Sequence, residues 1–160
     1  MSDTHEQSCI FCQIAQGKAP AHLVWEDDSH MAFLTIFPNT SGFTVVIPKA
    51  HLPSDAFANT QADLLKLVAA SQIVAKKLVQ AFPDVGRCGM FLEGFGVNHL
   101  HSKLFPMHGT GEMKEWQQIE SKEPVFFEHY PGFLSSQEGK RADDQELARI
   151  AQQIRDTIPT

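Results

Sequence analysis

The stretch Val97-Asn98-His99-Leu100-His101-Ser102-Lys103-Leu104-Phe105 constrains the fold more than any other part of the chain. Its alternation fits an extended strand, on which successive side chains point to opposite faces. Leu100 and Leu104 then face a core, with Asn98 and Ser102 on the same side. Val97, His99, His101, Lys103 and Phe105 share the other side. A strand that presents two imidazoles and an ammonium in a row is built to ligate something or to carry chemistry.

The rest of the pattern supplies a frame for that strand. Ile10, Phe11, Ile14 and Ala15 recur at helical spacing, and Gly17 permits a left-handed cap. Strands are expected over 21–26, 30–36 and 43–47, the last β-branched and ended by Pro48. The longest helix is expected over 60–82, with Leu64, Leu67, Val68, Ser71, Val74, Ala75, Leu78, Val79 and Phe82 on one face and Pro83 as the stop. A strand over 88–93 leads through Gly94-Phe95-Gly96, read as a hairpin turn, into the histidine strand. Phe126-Phe127 and the 130–134 stretch read as an aromatic loop or short strand. Asp143, with Glu146 three residues on, opens a terminal helix whose apolar stripe is Leu147, Ile150, Ala151, Ile154 and Ile158. Consecutive strands with helices segregated between them predict an α+β fold on an antiparallel sheet. One domain is expected over 1–160, with a core at about 9–106 and a C-terminal extension from about 107.

Composition limits the partners. A net charge of −6 without any basic block argues against a general binder of nucleic-acid polymers, and leaves room for a small anionic ligand. No apolar run is long enough to span a bilayer. The N-terminus is polar and lacks a signal-peptide layout, so a cytoplasmic protein is the default. In a reducing compartment the C-x-x-C pair Cys9 and Cys12 reads as metal-binding or redox, and Cys88 as a buried small hydrophobe. Zinc takes four sulfur or nitrogen ligands. Cys9, Cys12 and His51 offer three, with the fourth from His99, His101 or His108. Two incidental thiols beside a surface His51 fit the spacing equally well. The histidines also allow nucleophilic chemistry, because a neutral imidazole can attack phosphorus and split one displacement into two. His101, with Lys103 as a same-face cation, has that layout; a solvated face or a metal pair is the plainer alternative.

Taken together, Cys9-Ile10-Phe11-Cys12-Gln13-Ile14, Trp25-Glu26-Asp27-Asp28, Ala32-Phe33-Leu34, Val46-Ile47-Pro48-Lys49-Ala50-His51 and His99-Leu100-His101 resemble the histidine triad (HIT) family in order and spacing. The resemblance runs from about Cys9 to Pro106. It implies an α+β fold with a five-stranded antiparallel sheet, usually a homodimer, that binds small-molecule nucleotides and hydrolyses or transfers nucleoside monophosphates. It makes His101 the nucleophile within a catalytic set of His99, His101 and Lys103. It places zinc on Cys9, Cys12, His51 and His99. Ile10, Phe11, Ile14, Phe33 and Ile36 match positions lining the family's base pocket.

The sequence also departs from that pattern. The third histidine is Lys103, a charged point donor and not a neutral imidazole. The acidic residue that holds the ribose falls at Thr35, a single-hydroxyl partner. The loop that reaches the phosphate is shortened to 93–98, where Asn98 stands in as a nucleotide contact. Glu93 would repel a phosphate there unless paired or protonated. The expectation is therefore a nucleotide hydrolase or nucleotidyl transferase acting through His101. The alternatives are a non-catalytic, zinc-stabilised nucleotide- or partner-binding module and, more remotely, a thiol redox protein. The extension resembles that of a bacterial branch sharing the Gly-x-Gly-Val-x-His-x-His-x-Lys run.

Overall fold

Alternating and β-branched runs give five strands: β1 His22–Glu26, β2 His30–Leu34, β3 Thr44–Pro48, β4 Val85–Phe91 and β5 Ser102–His108. They form one sheet in the order β1-β2-β3-β5-β4, with every neighbouring pair antiparallel. This is the α+β, five-stranded plan expected from the sequence. The computed structural model describes residues 8–113, 116–118 and 138–158. Phe126, Phe127 and the 130–134 stretch lie outside the described residues.

Among the described residues, three α-helices complete the frame: α1 Ile10–Ala15, α2 Gln61–Ala81 and α3 Asp144–Arg155. α2 starts where the Thr60 hydroxyl accepts the Asp63 amide, and it closes at Phe82 ahead of Pro83. α3 starts at Asp143, whose carboxylate accepts the amides of Gln145 and Glu146. Ala32, Leu34 and Val46 face α2 and α3, packing with Leu67, Val74, Leu78, Leu147, Ile150 and Ile154. Met31, Phe33, Val45 and Ile47 alternate to the other face, where Phe11 and Ile14 of α1 cover them. The extension's helix is thus part of the main core. Its expected stripe ends early, since Ile158 is 80% exposed just beyond the helix. The α2 stripe also shifts: Val68 is partly exposed and Lys77 is buried. Lys77 is buried because its ammonium donates to the Thr157 carbonyl at 2.9 Å and the Arg155 carbonyl at 3.4 Å, closing the C-terminus of α3.

The histidine stretch departs most from expectation. β5 begins only at Ser102, and His99 and His101 lie in the irregular segment that enters it. The backbone explains this. The His99 amide turns back to the Val97 carbonyl at 2.8 Å, and the Leu100 amide donates to Leu52. The β3–β5 ladder runs Thr44↔Leu104, Val45↔Lys103 and Val46↔Ser102, and stops there. The expected tight hairpin is correspondingly a longer loop between Phe91 and Ser102. The two-sided alternation nonetheless survives. Leu100 and Leu104 are buried in the α2-side core, while Lys103 pairs with Val45 on the α1 side.

Candidate metal centre and active site

α1 and the loops after β3 and β4 converge on a buried cluster. Cys9 holds the N-cap position of α1 and Cys12 lies in its first turn. His51 follows β3, and His99 enters β5. One ligand atom from each of Cys9, Cys12, His51 and His99 falls within 4.8 Å of all the others. Cys12 Sγ is 3.2 Å from His51 Nδ1, and His99 Nδ1 is 3.5 Å from both Sγ atoms. His99 Nε2 donates to the Pro48 carbonyl at 2.8 Å. A carbonyl only accepts, so the proton sits on Nε2 and the Nδ1 lone pair faces the thiols. Burial lowers the His99 pKa to about 4, which keeps the ring neutral. Two thiols and two imidazoles make a donor set suited to a four-coordinate metal. The structure gathers these four and leaves His101 and His108 out. With both nitrogens engaged, His99 has no polar atom left for a reacting phosphate.

His101 stands beside this cluster with a different set of partners. Its Nδ1 donates to the His99 carbonyl at 2.7 Å, which leaves the lone pair of the neutral ring on Nε2. Phe11 packs edge-on against it at 5.5 Å, and against His99 at 5.8 Å. Burial lowers the His101 pKa, opposed by the His99 carbonyl; Lys103 adds to the lowering, and Glu93 and a backbone hydrogen bond with Phe95 counter it. Lys103 is not an isolated cation. Its Nζ meets Glu93 Oε1 at 2.5 Å, with the two side chains 11% and 5% exposed. The sequence flagged Glu93 as needing a partner near a phosphate, and the structure supplies Lys103. The Pro48 carbonyl had no signal in the sequence, because any residue offers one.

The expected nucleotide-contact residues divide. Phe11, Ile14 and Phe33 come together, with Phe11 and Phe33 ring centroids 5.4 Å apart. Ile10 opens α1 and is 44% exposed. Thr35 and Ile36 lie just past β2; the Thr35 hydroxyl accepts the Phe37 amide, and the Ile36 carbonyl accepts the Ala142 amide. Asn98 is directed elsewhere, its Oδ1 accepting the Ser54 amide at 3.2 Å. His108 ends β5, bound to Asp84 and the Ser41 carbonyl, and Trp116 is 75% exposed. Cys88 is half-buried, and burial pushes its thiol up to about 11. An apolar groove of about 410 Å³ lies between α2 and β4, lined by Leu65, Val68 and Met90 among others, and includes neither His101 nor Lys103.

Comparison with known proteins agrees with this architecture. A HIT-like protein of Methanocaldococcus jannaschii is 35% identical over 121 residues, covering 71% of this chain and 90% of its own length. A HIT family hydrolase of Legionella pneumophila aligns in structure with a TM-score of 0.51 at 33% identity, over 63% of this chain and 94% of that one. A Zn-bound histidine triad family protein of Mycobacterium smegmatis shares the fold, with a TM-score of 0.64 at 22% identity over 94% of this chain and 92% of that one. The HIT domain pattern itself matches residues 16–110, a span that carries His51, His99, His101 and Lys103 but begins after the two cysteines. A match over more than half of the chain places this protein in the HIT domain family.

Proposed function

We propose that this chain is a nucleotide hydrolase or nucleotidyl transferase in which His101 attacks the α-phosphorus of a dinucleoside polyphosphate or nucleoside phosphoramidate. The observation that carries the reading is the 2.7 Å bond from His101 Nδ1 to the His99 carbonyl. It favours the tautomer whose lone pair lies on Nε2, and burial, the largest influence on the ring, lowers its pKa and disfavours the charged form. Attack forms an Nε2–P bond and breaks the bond from phosphorus to the leaving group. Water or another acceptor then breaks the Nε2–P bond and releases the nucleoside monophosphate. Lys103 stands two residues along the chain as the cation next to the developing charge. Phe11, Ile14 and Phe33 form the apolar surface for the base.

Zinc is the metal this reading assigns to Cys9, Cys12, His51 and His99. The paired thiols and imidazoles support it, as does the Zn-bound state of the Mycobacterium smegmatis relative. Bound there, it would brace the segment that carries His101. The reading also takes the chain as a cytoplasmic homodimer. Edge strand β4 supports the dimer, with Met90 43% and Phe91 39% exposed beside the apolar α2 groove. No helix among the described residues is long and apolar enough to cross a membrane.

The decisive experiment is turnover by His101→Asn. Release of nucleoside monophosphate should fall to background in a variant that keeps its fold and metal content; unchanged turnover overturns the mechanism. A second reading, a non-catalytic nucleotide- or partner-binding module, is favoured by the neutralised Lys103 and by the Thr35 hydroxyl already bonded to Phe37. Calorimetric binding of nucleoside monophosphate without any turnover by the unmodified chain selects it.

A further inference from the structure

The contact between Lys103 and Glu93 goes beyond a cation awaiting a phosphate. Lys103 projects from β5 between Val45 of β3 and Phe91 of β4, and Glu93 reaches it from the loop that follows β4. Both side chains are nearly buried at a contact distance of 2.5 Å, so the charges face each other with little water between them. Lys103 follows His101 by two residues, and both lie on the α1 side of the sheet, where Phe11 packs against His101 and Val45 pairs with Lys103, so the pair stands on the same side as the proposed nucleophile. Lys103 is the single lysine or arginine between Phe91 and Pro106. Lys49, next to the metal ligand His51, is committed to Glu26 at 3.0 Å.

We propose that Glu93 is a specificity-determining positioning residue, which by holding Lys103 in a neutral pair limits how much anionic charge the site next to His101 accepts. The proposal rests on the nucleotide reading above and names the substrate class within it. A singly charged α-phosphate shares the lysine with Glu93. A polyphosphate adds charges that meet the Glu93 carboxylate with no second cation in this stretch to offset them. The site therefore favours a nucleoside monophosphate joined to a weakly charged leaving group, such as a phosphoramidate, over a dinucleoside polyphosphate.

The test is calorimetry on the intact chain at fixed ionic strength without divalent cations, with the mono- and triphosphates of adenosine and guanosine as probes. The unmodified chain should bind the monophosphate at least about tenfold more tightly than the matching triphosphate, because added negative charge near a buried carboxylate is unfavourable. Glu93→Gln, which removes the negative charge beside Lys103, should shrink that ratio by about tenfold or more through tighter triphosphate binding. Glu93→Asp keeps the charge and should keep the original order. The double variant Glu93→Gln/Lys103→Gln is neutral again and should return towards it, which a merely structural role for Glu93 does not predict. Equal affinity for mono- and triphosphate in the unmodified chain overturns the proposal whether or not any variant folds. So does an unchanged ratio in a folded Glu93→Gln. Absence of heat with every probe overturns the nucleotide reading together with it, whereas binding with a flat ratio removes only the role of Glu93.

Discussion

His99 hands its Nε2 proton to the carbonyl of Pro48, the last residue of β3, and so turns its Nδ1 lone pair towards Cys9 and Cys12. A strand end thereby sets the tautomer of a prospective metal ligand. Such outer contacts commonly govern metal affinity.

The metal prediction follows from that geometry. Chain purified without chelator should carry stoichiometric zinc by elemental analysis, and Cys12→Ala should bring it to background, since Cys12 lies next to both histidines. Chelation should lower the melting temperature of the unmodified chain, because binding energy for a buried site is folding energy. Equal zinc in Cys12→Ala, or a melting temperature insensitive to chelation, contradicts the assignment.

Lys77 reaches from α2 to the last carbonyls of α3 and is buried there. Lys77→Met keeps the apolar stem and removes the donor. The expected loss is about 1–3 kcal/mol, the usual cost of leaving buried acceptors unmet. In urea denaturation this should move the midpoint and leave the slope unchanged.

His108 gives a pH dependence with a definite sign. Its Nε2 faces the Ser41 carbonyl at 2.9 Å and its Nδ1 faces Asp84 at 3.0 Å, so both nitrogens have acceptors and the imidazolium is the favoured form. The Ser41 carbonyl, and then Asp84, raise its pKa above 6.5. A group raised in the fold lends stability that is complete below its unfolded pKa and disappears as pH climbs through the folded one. Melting temperature should therefore decline on raising the pH through that window above 6.5. His108→Gln should flatten the decline, and a profile identical to that of the unmodified chain would refute the coupling.

Gly94 precedes the histidine segment at a φ of 71°, and a Cβ there would sit 2.6 Å from the Ser54 carbonyl oxygen. The Ser54 amide also holds Asn98. Gly94→Ala should cost about 1–3 kcal/mol through left-handed strain and that collision. It should also blunt the preference for monophosphate over triphosphate, since Glu93 is its neighbour. A stable variant with an unaltered preference would show that the loop tolerates the shift.

Local signals carried far in this chain. Thr60, Pro83 and Asp143 mark helix ends through their own side chains or rings, and the structure places those ends where they stand. Cys9, Cys12 and His51 were legible as donors, yet spacing left the fourth open among His99, His101 and His108. The choice belongs to tertiary geometry, since only His99 finds both the thiols and the Pro48 carbonyl. Alternation located the faces of the histidine stretch correctly but overstated its strand, because backbone bonds to Val97 and Leu52 divert it before Ser102. The burial of Lys77 has no local signal for a related reason: one of its partners, the Arg155 carbonyl, is 78 residues away.

The position of α3 has a consequence for synthesis. β1 is made early, yet its His22 meets Asp144 across a separation of 122 residues, and Val24 belongs to the core that Leu147 and Ile154 complete. During translation β1 therefore waits with apolar surface uncovered until α3 leaves the ribosome. Closing so distant a contact is slow on entropic grounds. A nascent chain of this kind is a natural client for chaperones that shield hydrophobic surface, and a stalled one is a natural target for proteolysis.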